Sequence, residues 1–191
     1  MTKAHELIIA GFGGQGALSM GQILSYAATI ESREVSWMPS YGPEMRGGTA
    51  NCIVIISGDR ISSPIVTTFD SAIILNQPSM DKFFPKVRPS GLVMAEESTV
   101  MTVPQDDTKD TIMIPAAVEA DALGSRQVAN MLMLGAFLEC RKLVSRESVL
   151  KALEKVLPPH RQHLLEKNKL ALEKGAEIAR AAQKNTETHV V

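Results

Sequence analysis

Gly11-Phe12-Gly13-Gly14-Gln15-Gly16 has the composition of an anion cradle. It follows a short apolar run, Leu7-Ile8-Ile9-Ala10, and precedes a helical stretch that begins at Ala17. A strand that turns through glycine into a helix aims unpaired backbone N–H groups at one spot. The helix dipole adds about half a positive charge there. A phosphate or a carboxylate fits that spot. The same glycines also suit close packing of a helix on a strand, where they serve only for clearance. A dinucleotide site needs a second element, an acidic side chain about 20 residues further on to hold the ribose. Here the second strand ends Trp37-Met38-Pro39, with Glu31 and Glu34 before it, so the NAD reading lacks that element.

A second cluster runs Ser40-Tyr41-Gly42-Pro43-Glu44-Met45-Arg46-Gly47-Gly48-Thr49. Arg46 ahead of Gly47 and Gly48 can pair an anionic group while the backbone approaches closely. Tyr41 adds an aromatic face with a hydroxyl. Glu44 is the other available partner for Arg46, in which case the loop merely holds itself together. A loop this rich in turn residues is long for a compact domain, and long loops are more often functional than decorative. If the flanking strands are parallel neighbours, both glycine clusters lie at one sheet edge.

Other chemistry is poorly provided for. The two cysteines, Cys52 and Cys140, form no CxxC. Zinc ribbons, iron–sulfur ligand sets and dithiol redox pairs within this chain are excluded. Of the four histidines only His160 and His163 are close in sequence, without an acidic or cysteine companion, so no metal site is expected. No nucleophile has a defensible base, so no catalytic residue is expected in this chain. Asn130 and Asn168 interrupt apolar helical patterns and read as structural hydrogen-bonding groups.

The chain has 191 residues, 45% hydrophobic and 21% charged, with a formal net charge of −1. That is an ordinary soluble composition. It argues against binding nucleic acid or a membrane surface by bulk charge. Residues 1–140 hold nine Lys/Arg against fifteen Asp/Glu, and residues 141–191 hold eleven against six. The basic C-terminal part reads as a solvated helix, or else as a face for an acidic partner. Met1–Ile9 is too short and mixed for a signal peptide, and no apolar run approaches a membrane span. A cytoplasmic protein is expected.

These motifs need elements to position them. Leu7–Ala10, Val35–Met38, Cys52–Ile56, Ala72–Leu75, Leu92–Ala95 and Thr111–Ile114 read as strands, and Arg60–Val66 as a returning one. Ala17–Glu31 and Ser79–Val87 read as helices, and the chain reads as helical from Ala116 onward. Val128–Leu138 is apolar all round and should be buried. Ser145 is an N-cap candidate for a helix to Leu157, ended by Pro158-Pro159, and His160 to about Gln183 is a long amphipathic helix. The expected fold is a three-layer α/β/α domain over residues 1–184. Its sheet is mixed, largely parallel and twisted, its C-terminal helices pack on one face, and 185–191 form a frayed tail.

The paired clusters, Gly11-Phe-Gly-Gly-Gln-Gly16 and Ser40-Tyr-Gly-Pro-Glu-Met-Arg-Gly-Gly48, resemble the gamma subunit of 2-oxoacid:ferredoxin oxidoreductases. Ile61-Ser-Ser-Pro64, Asp70, Asn130-Met131, Leu134-Gly135-Ala136, Asn168, Ala171 and Gly175 agree with that pattern. The resemblance implies oxidative decarboxylation of a 2-oxoacid to an acyl-CoA and CO2, with reduction of ferredoxin. It implies thiamine diphosphate, iron–sulfur clusters and coenzyme A in the complex, none of the cofactors held by this chain alone. The implied partners are alpha and beta subunits, a ferredoxin-like delta subunit, and ferredoxin through the complex; the isolated chain could form a homodimer. Gly11, Gly13, Gly14, Gln15, Gly16, Tyr41, Glu44, Arg46, Gly47 and Gly48 are then the expected ligand or interface residues, enclosing the active site or the coenzyme A path. A stand-alone Rossmann-like nucleotide binder and a purely structural subunit are the competing readings.

Overall fold

The computed structural model describes residues 4–42 and 48–187, with side chains through residue 184. Strand β1 (His5–Phe12) leads through the glycine turn into α1 (Ala17–Ile30). Then come β2 (Glu34–Tyr41), β3 (Thr49–Ser57) and β4 (Phe69–Ile74), followed by α2 (Gln77–Phe83), β5 (Val87–Glu96) and β6 (Asp110–Ile114). The rest is helical: α3 (Ala116–Ala122), α4 (Ala129–Cys140), α5 (Arg146–Val156) and α6 (Leu165–Glu187).

The strands form one sheet in the order β2-β3-β1-β4-β5-β6. β1, β4, β5 and β6 pair in parallel, and β3 is antiparallel to both β1 and β2. The mixed, mostly parallel α/β architecture expected from the sequence is therefore present. Alternate residues feed two cores. Leu7, Ile9, Cys52, Val54, Ile73 and Met94 face α1, α4 and α6. Ile8, Ala10, Ala72, Ile74 and Val93 face α2. Burial on both faces explains why these strands read as continuous apolar runs.

The C-terminal helices share the first face, as expected. α4 is buried from Met131 to Phe137, and α6 lies directly across it. The crossing is close because two glycines meet the opposing backbones. A Cβ on Gly135 would stand 2.0 Å from Leu172 O, and one on Gly175 2.0 Å from Leu132 O. Ser145 caps α5 as expected, its hydroxyl accepting from Ser148 N.

Several boundaries differ from the sequence reading. Arg60–Val66 is not a strand; it is irregular, because β1 and β2 already occupy both edges of β3. Pro39–Tyr41, expected in a loop, continues β2. Gly42 N donates to Thr49 O at 2.8 Å, so the even-numbered residues of β2 bond β3. Pro39 thus turns its missing N–H to the open edge, where proline is tolerated. α2 starts at Gln77 because Asn76 caps it, and Phe84–Lys86 finish as a 3-10 turn before β5. Pro159–Leu164 is likewise a 3-10 turn, and α6 continues to Glu187, past the expected end.

Much of the C-terminal positive charge is locally paired. Arg146 meets Glu173, Arg180 meets Glu139, and Lys174 meets Glu119. This favours the solvated-helix reading over a basic docking face.

Candidate functional site

The turn after β1 takes the shape its glycines permit. Gly14 and Gly16 are left-handed, at φ 98° and 83°, and Gly16 opens α1 without a side-chain cap. Gly13 N donates to Gly48 O at 2.9 Å, and Phe12 pairs with Thr49. The described flanks of the second cluster, Tyr41-Gly42 and Gly48-Thr49, therefore share one sheet edge with the first. Their strands are not neighbours, however: β3 separates β1 from β2. That insertion also moves the end of β2 two strands from the glycine turn, about 9–10 Å away. The ribose position of a dinucleotide fold is lost, so the geometry disfavours the NAD reading as the sequence did.

Gln15 does not reach outward. Its Oε1 accepts from Phe12 N at 2.6 Å and from Asn76 Nδ2 at 3.1 Å, and its Nε2 donates to Leu75 O at 2.7 Å. It braces the turn from within and also lines the crevice described below. Tyr41 is 65% exposed beside the turn. Glu44, Arg46 and Gly47 lie outside the described residues.

A crevice of about 480 Å³ opens beside Gly14 and Gly16. Glu96, Arg126, Asn130 and Arg161 line it too. It lies at the C-terminal ends of β1 and β4. From β1 the chain passes to one side of the sheet, and from β4 to the other. Such switch points are where open α/β sheets bind ligands. A second cavity of about 410 Å³ lies near the C-terminal end of α1 and the start of α5. Its polar groups hold one another: Arg33 donates to Leu143 O, Glu31 accepts from Ser145 N, and Arg146 pairs with Glu173. The crevice is the better candidate because it holds an unsatisfied group.

That group is Asn130. Its Oδ1 is buried and, among the described residues, accepts no hydrogen bond. The structural bond expected of Asn130 is therefore missing for this atom. Asn168 does make one, from Nδ2 to Leu164 O at 2.9 Å, within its own helical segment and not to a loop. A buried acceptor without a partner costs about 1–3 kcal/mol, so a hydrogen-bond donor arriving in the crevice is stabilised there.

Sequence reasoning missed Glu96, Thr99, Arg126 and Arg161. A signal for Glu96 existed: a carboxylate directly ends the apolar run Leu92–Ala95. In the structure it is 5% exposed, its Oε1 accepting from Ala117 N and its Oε2 bonded to Thr99 Oγ1. Arg126 and Arg161 come from the 3-10 turns that precede α4 and α6, and no local pattern marks them.

Residues 6–178 match the family model for pyruvate ferredoxin/flavodoxin oxidoreductase. The chain belongs to the pyruvate ferredoxin/flavodoxin oxidoreductase family. It is 40% identical over 172 residues to ketoisovalerate oxidoreductase subunit VorA of Methanothermobacter thermautotrophicus, covering 90% of this chain and 36% of that one. It is 35% identical to 2-oxoglutarate synthase subunit KorC of Methanocaldococcus jannaschii, covering 92% of this chain and 94% of the relative. This oxidoreductase-family chain thus spans about a third of VorA (36%) and nearly all of KorC. Among solved structures it resembles the keto/oxoacid ferredoxin oxidoreductase gamma subunit of Geobacter sulfurreducens. The TM-score is 0.80 at 29% identity, over 93% of this chain and 99% of the other.

Proposed function

We propose that this chain is the gamma subunit of a multi-subunit 2-oxoacid:ferredoxin oxidoreductase, and that its crevice edge closes over chemistry carried by other subunits. One observation carries the reading. Tyr41, Met101 and Val118 are 65%, 82% and 62% exposed, and all three stand at or beyond the sheet edge that holds the crevice. Large exposed apolar groups spread along the sheet edge that holds the crevice suit a partner surface better than water. Met101 is held in place. Gln77 Oε1 accepts from Met101 N and Thr102 N at 2.9 and 3.0 Å, and Gln77 Nε2 donates to Thr102 O.

In this reading alpha and beta subunits hold thiamine diphosphate. A ferredoxin-like delta subunit holds iron–sulfur clusters and passes electrons to ferredoxin. Those cofactors supply the decarboxylation and electron transfer. This chain binds and encloses. The crevice suits a phosphate-bearing ligand such as coenzyme A. Arg161 and the start of α1 favour anions, Arg126 adds a guanidinium that also meets Asp121 at 3.3 Å, and Asn130 Oδ1 accepts from an amide or hydroxyl donor.

The test is reconstitution with the partner subunits, reading assembly and the KM for coenzyme A. Arg126→Ala combined with Arg161→Ala should raise that KM about tenfold or more while assembly persists. Tyr41→Ala combined with Met101→Ala should weaken assembly. Arg46→Ala extends the test to the second glycine cluster. Unchanged KM and unchanged assembly in all three overturn the reading.

A further inference from the structure

Along the crevice floor, polar groups lie within hydrogen-bond distance of one another from Asn76 to Ala117. At one end Asn76 Oδ1 accepts from Ser79 N at 2.9 Å and so caps α2. Asn76 Nδ2 donates to Gln15 Oε1, and Gln15 Nε2 donates to Leu75 O. Leu75 O is also the partner of Thr99 Oγ1 at 2.8 Å. Thr99 Oγ1 in turn lies 2.7 Å from Glu96 Oε2, and Glu96 Oε1 accepts from Ala117 N at 3.1 Å, in the first turn of α3. The run therefore joins the segments that follow β1, β4, β5 and β6. Thr99 has one proton for two acceptors, so Leu75 O and Glu96 Oε2 compete for it, and the loss of either acceptor leaves it to the other. Glu96 and Asn76 are 5% and 3% exposed, and a buried polar group in such a chain must keep its partners.

We propose that Gln15 and Glu96 are positioning residues. They lock the glycine turn, the β4–α2 turn and the start of α3 into one body, so that the crevice presents a preformed seat to its ligand. This rests on the reading of the crevice as the coenzyme A path. Gln15 has its carbonyl doubly engaged and Glu96 has both oxygens engaged, so neither needs to touch the ligand. Their effect passes through the backbone N–H groups of the turns that they hold in place.

The test uses the reconstituted complex. Gln15→Ala and Glu96→Ala should each raise the KM for coenzyme A about fivefold, with kcat changed less than about twofold. The double variant should be no worse than the poorer single one, because both break the same run. Glu96→Gln should restore KM, since the amide can still accept from Ala117 N and donate to Thr99 Oγ1. Independent, multiplying effects would overturn the proposal. So would a Glu96→Gln as impaired as Glu96→Ala, which would mean that the carboxylate charge meets the ligand. Thr99→Val provides a milder probe. Amide hydrogen exchange should rise in the glycine turn as well as near residue 99, and a rise confined to the vicinity of residue 99 also overturns the proposal. If the arginine variants leave KM unchanged but Thr99→Val still loosens the glycine turn, the ligand assignment fails and the coupling stands.

Discussion

The Asn130 amide occupies the space that a side chain at residue 16 would need. A Cβ on Gly16 would lie 2.4 Å from Asn130 Nδ2 and 2.8 Å from its Cγ. Gly16 is also left-handed at φ 83°. The glycine that opens α1 is thus required twice, once for backbone conformation and once for the close approach of α4.

Gly16→Ala should accordingly lower stability by about 2 kcal/mol or more. Adding Asn130→Ala should recover most of the steric part, its Cβ still standing 3.0 Å away, and leave the backbone part, about 1 kcal/mol. Urea unfolding of the two variants and the wild type measures both parts. Equal stability of the single and double variants would contradict the steric argument.

The α4–α6 crossing should tolerate no side chain at either glycine. The atoms in the way at Gly135 and Gly175 are backbone carbonyls, which cannot rotate aside. Gly135→Ala or Gly175→Ala should lower stability by about 3 kcal/mol or more, or separate the helices. Thermal unfolding and near-UV circular dichroism would register either outcome.

Acid sensitivity should arise in part at the other end of the sheet. Burial pushes the Asp70 carboxyl up, but the Glu6 N–H, the Arg88 guanidinium and the nearby charge of His5 outweigh it and hold its pKa below the ordinary value. Arg88 also bonds Glu6, tying β1, β4 and β5 together. A carboxyl lowered on folding contributes stability that is present above its unfolded pKa. That stability is lost as the pH falls through the folded one. Asp70→Asn should therefore be less stable than wild type at neutral pH, and the gap should close below about pH 4. Melting temperatures of both proteins from neutral to acid pH would reveal it.

The two thiols should differ in reactivity. Burial pushes Cys52 up to about 12, against the opposing pull of hydrogen bonds with the Trp37 side chain and the Gly21 backbone. Cys140 is half-buried and raised for the same reason, against the pull of Arg141. Iodoacetamide at mildly alkaline pH should label Cys140 slowly and Cys52 only on unfolding. Mass spectrometry of the labelled native protein tests the order.

Local chemistry made part of this protein readable in advance. The apolar runs at Leu7–Ala10, Cys52–Ile56 and Leu92–Ala95 read as buried strands, and they are. The glycines of residues 11–16 could only be a tight turn, and Ser145 was a cap waiting for a helix. The oxoacid oxidoreductase resemblance was also visible, because it rests on residue types in order along the chain. Strand direction was not visible. Nothing in Trp37–Tyr41 or Thr49–Cys52 states that β3 runs back between β1 and β2, since pairing depends on which edges other segments have already taken. Nor could Gln15 be seen to face inward. Its partners Leu75 and Asn76 lie sixty residues away along the chain, and the amide chooses them over solvent only once β4 is in place beside β1. The crevice itself belongs to tertiary structure. Glu96, Arg126 with Asn130, and Arg161 come from three separate segments, and only the packing of α3, α4 and the turn before α6 against the sheet brings their polar groups to one place.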